Sequence, residues 1–182
     1  MEYQMKITCL AGSIRAGSFN SVAVKSFAFI AEEAGHECDI IDLSDYPLPL
    51  FNQDEEEESI IAIAQKLADR LNNSDAVFIS SPEYNGSVSP LLKNTLDWMS
   101  RIPNKPYQNK IFAIGAASPG ALGGIRGLAH LRDILTSVGA IVIPKMLTIG
   151  GIQNLMDEQG LAVQERQKNQ VESMLDSIEK LL

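Results

Sequence analysis

The sequence has no long hydrophobic run, few cysteines and no excess of positive charge. No apolar stretch reaches the roughly 18 residues that a membrane span needs, and the first residues lack the basic region and apolar core of a signal peptide. We therefore expect a cytoplasmic protein that does not enter the membrane. The 23 acidic residues outnumber the 15 lysines and arginines, and the net charge is −8. Because nucleic-acid binding needs clustered basic side chains, no nucleic-acid partner is expected.

The residue types that build metal centres and acid–base sites are also sparse. Cys9 and Cys38 lie in separate strand-like runs without CxxC spacing, so both are expected to be reduced and packed. His36 and His130 lie far apart in the sequence and are expected to be structural. The acidic run at residues 55–58 precedes a predicted helix, where negative charge is favourable. No metal site is predicted, and neither a Ser-His-Asp set nor a pair of carboxylates marks a catalytic side chain.

Apolar runs alternate with helical patterns along the 182 residues, which are expected to form one domain, residues 1–182. Strands are predicted at residues 5–11, 38–43, 75–80 and 110–116, and residues 140–143 are predicted to start a fifth strand. Helices are predicted at residues 19–33, 59–71, 90–100, 124–137 and about 161–181. This alternation indicates a parallel sheet with helices on both faces. We predict the α/β class, as a flavodoxin-like three-layer sandwich with a five-stranded parallel sheet of order 2-1-3-4-5. Its switch point, where open α/β sheets bind ligands, lies between strands 1 and 3.

A loop of small residues follows the first predicted strand and opens the first helix. This first loop comprises residues 12–20, Gly12-Ser13-Ile14-Arg15-Ala16-Gly17-Ser18-Phe19-Asn20. Gly12 and Gly17 permit close backbone approach to a ligand, Arg15 offers a planar cation suited to phosphate, and a helix N-terminus supplies N–H donors. Neither a nucleotide P-loop nor the GxGxxG fingerprint is present. The loop indicates a phosphate site, and the alternative is an ordinary strand-to-helix turn that Ser18 caps.

A second loop follows the third predicted strand and comprises residues 82–87, Pro82-Glu83-Tyr84-Asn85-Gly86-Ser87. Pro82 cannot continue a strand ladder, Tyr84 offers a rigid amphipathic face, and Asn85-Gly86 is a turn dipeptide that exposes backbone N–H groups. The loop is therefore expected to lie against an aromatic ring and to hydrogen-bond its edge. Glu83 is expected to hold the loop or to meet a neighbouring subunit rather than to act as a general base.

A third loop, residues 118–124, follows the fourth predicted strand at the same sheet edge. Its small residues leave room for a ring, a nicotinamide or a substrate, and the alternative is a flexible loop with a helix that starts at Gly124. Ser89 is expected to cap the helix after the second loop, and Trp98 is expected in the core. Residues 44–52 are expected to form an ordered loop over one edge of the site. Together the loops predict one site for a phosphorylated planar ligand.

These motifs resemble the NADPH-dependent FMN reductase family, a flavodoxin-like group of quinone, azo and chromate reductases. The matching segments are the first loop, the second loop, Lys93-Asn94-Thr95-Leu96-Asp97-Trp98 and Asp45-Tyr46-Pro47-Leu48-Pro49, within a resemblance that spans nearly the whole chain. The resemblance implies that the FMN phosphate and ribityl chain contact Ser13, Arg15, Ser18, Phe19 and Asn20, with Gly17 lining the same loop. It also implies that the isoalloxazine ring contacts Pro82, Glu83, Tyr84, Asn85 and Ser118. Members of the family commonly form dimers or tetramers, so a homodimer or homotetramer is expected.

The resemblance further implies bound FMN, NADPH or NADH as electron donor, and a small-molecule electron acceptor. The expected reaction is ping-pong hydride transfer through flavin N5 to a quinone, flavin, azo compound or metal oxyanion. Because the cofactor carries the redox chemistry, no catalytic side chain is predicted. Two alternatives from other classes are a flavin-carrying electron shuttle without nicotinamide activity, whose acidity would suit basic partners, and a flavin-free scaffold or sensor.

Overall fold

The structure is a computed structural model that describes residues 3–182. Within this range the five strands are β1 (Lys6–Ala11), β2 (Glu37–Ile41), β3 (Ala76–Ser80), β4 (Ile111–Ser118) and β5 (Ile141–Gly150). The α-helices are α1 (Phe19–Glu33), α2 (Glu58–Asn72), α3 (Pro90–Met99), α4 (Ile125–Ser137) and α5 (Glu165–Glu179). The strands pair in parallel in the order β2-β1-β3-β4-β5. The predicted flavodoxin-like topology is therefore confirmed.

Two apolar layers enclose the sheet. Helices α1 and α5 pack on one face, and α2, α3 and α4 pack on the other. Strand β3 is buried at every position, as expected for a central strand covered on both sides. Phe27 of α1 stacks on Phe78 of β3 with ring centroids 4.0 Å apart, and Trp98 of α3 is fully buried in the opposite layer, as predicted. Because both faces are covered, ligands can reach the sheet only at its edges.

The fifth strand begins where it was predicted to begin and extends to Gly150. The prediction placed its start at residues 140–143 without an end, and β5 runs from Ile141 through Pro144 to Gly150. It lies at the edge of the sheet, and its register with β4 shifts between Phe112 and Ile114. Proline has no N–H to donate to a neighbouring strand. It is therefore tolerated in an edge strand or where the pairing is irregular, because no regular backbone hydrogen bond between strands is lost there.

The last two helices also begin later than predicted. Helix α5 starts at Glu165 rather than near residue 161, because the carboxylate of Asp157 accepts the N–H groups of Gln159 and Leu161 and stabilises a turn there. Helix α4 starts one residue after Gly124, which has a left-handed backbone with φ of 87°. Among the helices within residues 3–182, none has the length and apolar character needed to cross a membrane.

The segment at residues 44–52 docks onto α3. Trp98 Nε1 donates to the carbonyl oxygen of Pro49 at 2.8 Å. Asn94 donates from Nδ2 to the same oxygen at 2.8 Å and accepts the N–H of Phe51 at 2.7 Å. The segment is ordered, as predicted, and it is attached to the helix that follows the second loop.

Candidate functional site

Three loops meet at the carboxyl edge of the sheet. The first loop follows β1, the second follows β3 and the third follows β4. These strands are neighbours in the order β1-β3-β4, while β2 lies on the other side of β1. The switch point of the sheet is therefore between the first and second loops, which is where open α/β sheets bind ligands. The structure brings together the loops that the sequence marks.

The first loop presents unpaired backbone donors. The N–H groups of Ser13, Ile14, Ala16 and Gly17 reach no acceptor within residues 3–182. Residues 14–17 are exposed. Ser18 caps α1, since its Oγ accepts the N–H of Ser21 at 3.4 Å. The loop contains no acidic side chain, so its free donors and the helix N-terminus favour an anion.

Arg15 folds back over the first loop. Its guanidinium donates to the carbonyl oxygens of Ala16 and Gly17, each at 3.0 Å. Its central carbon lies 5.9 Å from the centroid of the Phe19 ring. The cation thus lies beside the free N–H groups, where it shapes the loop and adds positive charge to it.

Asn20 is buried at the base of the first loop and bridges β3 and β4. Its Oδ1 accepts from the Ser80 hydroxyl at 2.9 Å and from the Ala117 N–H at 3.1 Å, and its Nδ2 donates to the Ala117 carbonyl at 3.2 Å. Ala117 lies beyond Gly115, the last β4 residue in register with β3. The Asn20 amide therefore takes the place of the missing strand partner and holds the first loop against the sheet.

The second loop contains a tight turn with positive φ at both central residues. Asn85 has φ of 52° and Gly86 has φ of 79°, and Tyr84 and Ser87 exchange backbone hydrogen bonds of 2.9 and 3.1 Å. This is a type I′ turn, which Asn-Gly favours. Tyr84 is 47% exposed, and the N–H groups of Asn85 and Gly86 reach no acceptor within residues 3–182. The loop offers a planar ligand an aromatic face and two donors.

Glu83 joins the second loop to α4. Its Oε2 accepts the N–H of Arg126 at 3.0 Å and the N–H of Gly127 at 3.3 Å, and its Oε1 lies 3.8 Å from the Arg126 guanidinium. Since Gly124 has no side chain with which to cap α4, Glu83 satisfies donors that the first helical turn leaves free. The carboxylate thus holds the loop, as expected from the sequence.

Glycine residues set the path of the third loop. Gly124 has a positive φ of 87°, and a Cβ on Gly150 would lie only 2.3 Å from the carbonyl oxygen of Ala121. The third loop therefore packs directly on the backbone at the end of β5. Ser118 ends β4 and donates from Oγ to the carbonyl oxygen of Gly120 at 3.2 Å.

Ser89 links the first and second loops. Its Oγ accepts the N–H of Leu92 at 3.2 Å, which confirms the predicted cap of α3. The same hydroxyl donates to the carbonyl oxygen of Gly12 at 2.6 Å. A Cβ on Gly12 would lie 3.0 Å from that of Leu92, so this approach requires a small residue. Together with Asn20 and Glu83, Ser89 connects all three loops.

Two residues next to the site were not predicted to belong to it. Gly150 packs against the third loop. The sequence feature that could have predicted this position is the Gly150-Gly151 pair after an apolar strand. His130 of α4 places Nδ1 at 2.9 Å from the Oγ of Ser87. No local pattern marks this contact, because the two residues are 43 positions apart.

The cavities do not by themselves locate the site. A cavity of about 270 Å³ borders the first loop, Lys25 and residues 40–43. A larger one of about 940 Å³ lies at the opposite edge of the sheet, beside His36 and Glu179. There the buried His36 accepts the N–H of Met5 at 3.4 Å. The larger cavity borders none of the three loops. The site is therefore identified by the position of the loops and not by the volume of a cavity.

The three loops fit a phosphorylated planar cofactor. The first supplies anion donors, the second supplies an aromatic face with donors for a ring edge, and the third supplies small residues. Within residues 3–182, no group of three or more His, Cys, Asp or Glu side chains is arranged to hold a metal ion. The arrangement is suited to binding and orienting a cofactor that carries the redox chemistry itself.

Comparisons with known proteins identify the family of this chain. Residues 5–154 match the family described as NADPH-dependent FMN reductase. A quinone reductase of Escherichia coli is 37% identical over 161 residues, which cover 87% of this chain and 85% of the relative. An NAD(P)H-dependent FMN reductase of Pseudomonas aeruginosa is 30% identical over 180 residues, which cover 98% of this chain and 96% of the relative.

A solved structure is similar to this chain over nearly its full length. The flavoenzyme NAD(P)H:(acceptor) oxidoreductase from Paracoccus denitrificans has a TM-score of 0.79 and 28% identity to this chain. The match covers 97% of this chain and 98% of that one. The chain therefore belongs to the NADPH-dependent FMN reductase family, and it is an oxidoreductase that uses FMN and NAD(P)H.

Proposed function

We propose that this protein is a quinone reductase with ping-pong kinetics, in which the NAD(P)H donor and the acceptor occupy the same space in turn. Free flavins, azo compounds and metal oxyanions are further candidate acceptors. The observation that carries the proposal is the connection of the three loops at the switch point through Asn20, Ser89 and Glu83. Loops that are held in place before the ligand arrives lose little conformational freedom on binding.

The first loop would hold the FMN phosphate and ribityl chain. The free N–H groups around Gly17 and the hydroxyl of Ser13 are donors for phosphate oxygens, and Arg15 adds positive charge. Ser18 accepts the N–H of Ser21 and keeps its own hydroxyl proton for donation. Phe19 is half-buried beside Arg15 and offers an apolar contact. Asn20 would hold the first loop in place, since its amide already bonds to the ends of β3 and β4.

The second and third loops would hold the isoalloxazine ring. Tyr84 would supply apolar contact, and Asn85 would supply a backbone donor for the ring edge. Pro82 is buried at the start of the loop and would meet the ring only with the little surface that it exposes. Glu83 contributes by fixing the loop to α4. Ser118 lies at the start of the third loop and is half-buried there.

Bound FMN would supply the redox chemistry, namely hydride acceptance from NAD(P)H and two-electron reduction of the acceptor, while the second and third loops would hold its ring. The chain would orient the ring and leave space beside it, since most residues of the third loop are small. Exposed apolar side chains lie on the second loop, on the third loop and at the start of α4: Tyr84 is 47% exposed, Leu122 57% and Ile125 42%. This apolar rim favours planar, uncharged acceptors such as quinones.

The first test is a visible spectrum of the purified protein after incubation with FMN, followed by anaerobic stopped-flow mixing with NADPH. Fast loss of the flavin absorption, restored by a quinone, is the expected result. Bound FMN that NADPH does not bleach would favour the electron shuttle. A protein that takes up no FMN would favour the flavin-free scaffold or sensor.

The second test separates the kinetic schemes and the acceptors. Initial rates at several fixed NADPH concentrations should give parallel double-reciprocal lines for each accepted quinone. Converging lines would contradict a mechanism in which NAD(P)H and the acceptor occupy the same space one after the other. The same assay with a free flavin, an azo compound and a metal oxyanion ranks the acceptor classes.

We also propose that the chain forms a homodimer or homotetramer. The support is the number of exposed apolar side chains near the loops and on the segment docked to α3, where Leu50 is 84% exposed. Sedimentation over a range of protein concentrations measures the assembly. A monomer at every concentration would contradict this proposal.

A further inference from the structure

His130 of α4 hydrogen-bonds to the second loop. Its Nδ1 lies 2.9 Å from the Oγ of Ser87, within hydrogen-bond distance. Ser87 closes the type I′ turn and directly follows Asn85 and Gly86, whose N–H groups reach no acceptor within the described residues. We infer that His130 is a positioning residue for the flavin ring, because it sets the orientation of the turn that presents these donors. This inference rests on the proposed function.

Helix α4 holds the turn at both of its ends. Before the turn, Glu83 accepts the N–H groups of the first helical turn, including that of Gly127. After the turn, Ser87 meets His130 one helical turn further along α4. A Cβ on Gly127 would lie 3.1 Å from the Ser87 carbonyl oxygen, so the helix also approaches the turn closely at its backbone. Two attachments to one helix restrict rotation of the turn, which a single attachment would allow.

The bond between His130 and Ser87 can form in either direction. A neutral imidazole with an unprotonated Nδ1 accepts the hydroxyl proton, and an imidazole with a proton on Nδ1 donates to the hydroxyl oxygen. Within residues 3–182, His130 forms no ion pair, although Glu83, Arg126 and Asp133 lie on the same two elements. The positioning role is therefore independent of the charge on His130, which distinguishes it from a general acid.

The matched substitutions are His130→Asn and His130→Leu. Asparagine places a polar atom where histidine has Nδ1, and leucine places a methyl group there. We expect His130→Leu and Ser87→Ala to weaken FMN binding about 2- to 10-fold each, the loss that corresponds to one hydrogen bond between uncharged partners. His130→Asn should bind FMN like the wild type. The double variant Ser87→Ala with His130→Leu should be no weaker than either single variant, because both remove the same bond.

A second measurement needs no flavin. Amide resonances of Asn85 and Gly86 in the FMN-free protein should shift in His130→Leu and stay in place in His130→Asn, and the rest of the spectrum reports that each variant is folded. With FMN and NADPH, the pH profile of kcat should keep its shape in His130→Leu while its amplitude falls.

Three results would overturn the inference: unchanged FMN affinity and amide resonances in His130→Leu, equal damage in His130→Asn and His130→Leu, or a lost limb in the pH profile. Failure of the wild type to bind FMN would instead contradict the proposed function. In that case the amide resonances still test whether His130 orients the turn.

Discussion

Replacement of Asn20 by alanine tests how the site is built. The Asn20 side chain bonds the first loop to the ends of β3 and β4, in addition to the bond from the Gly12 N–H to the Ser80 carbonyl oxygen. If it acts by holding this framework, its loss destabilises the protein even without a ligand. If it acted only as a contact to FMN, its loss would weaken FMN binding and leave the ligand-free protein as stable as before.

The expected magnitude follows from the bonds that are lost. Asn20→Ala leaves the N–H and the carbonyl of Ala117 without their partner, and Ala117 is only 4% exposed. Each buried backbone group without a partner costs about 1–3 kcal/mol, so the pair costs roughly 2–6 kcal/mol. The hydroxyl of Ser80 can turn to another acceptor and adds less. Against a total stability of about 5–15 kcal/mol this is a large loss, and in a chain of this length it lowers Tm by roughly 5–20 °C.

Urea unfolding of the FMN-free protein measures this loss directly. The single tryptophan, Trp98, is fully buried and reports unfolding by its fluorescence. All variants are compared at one protein concentration, because assembly shifts the apparent stability.

Asn169→Ala is the matched control, since Asn169 is an exposed asparagine on α5 whose side chain has one hydrogen bond within residues 3–182, to Glu165 at 3.4 Å. That substitution should change the free energy of unfolding by no more than about 0.5 kcal/mol. If Asn20→Ala and Asn169→Ala have the same stability within that margin, the framework role of Asn20 is wrong.

Three further predictions concern the first loop, the cysteines and the third loop. Arg15→Ala should weaken FMN binding by roughly 1.5–3 kcal/mol, the range for a hydrogen bond to a charged group, and leave riboflavin binding unchanged; calorimetric titration giving equal losses for both ligands would rule out a phosphate role. Burial raises the pKa of the Cys9 thiol well above its ordinary value, so a thiol reagent at neutral pH should modify Cys38 first and Cys9 only on unfolding, and mass spectrometry that finds equal rates would disprove this. Gly150→Ala places a methyl group against the third loop and should destabilise the protein by about 1–3 kcal/mol, which an unaltered calorimetric Tm would refute.

The sheet order was predictable because few topologies connect alternating strands and helices. Parallel strands need right-handed crossovers, and apolar residues at helical spacing mark the buried side of a helix, as Ala64, Leu67 and Leu71 do in α2. The end of β5 was not predictable in this way. Pro144 normally ends a strand, and the irregular pairing with β4 that tolerates it depends on the partner strand rather than on local sequence.

The candidate site was predictable as loops but not as a connected framework. Each loop is marked locally by its glycines, short polar residues and position after a strand. The bonds between the loops join residues far apart in the chain: 77 positions separate Ser89 from Gly12, and 97 separate Asn20 from Ala117. Such pairs depend on which loop ends meet in space, and periodicity carries no information about that.

Glu83 shows why a carboxylate at the site does not imply acid–base chemistry. Both of its oxygens face α4, where they meet two backbone N–H groups and the Arg126 guanidinium. Both oxygens are therefore engaged with donors of the first turn of α4, which the helix leaves without backbone partners, and not with a ligand. The same contacts offset its negative charge locally. In a protein with a net charge of −8, this keeps an uncompensated carboxylate away from a cofactor that must gain electrons. Glu83 therefore orders the second loop without placing an unbalanced negative charge beside the ring.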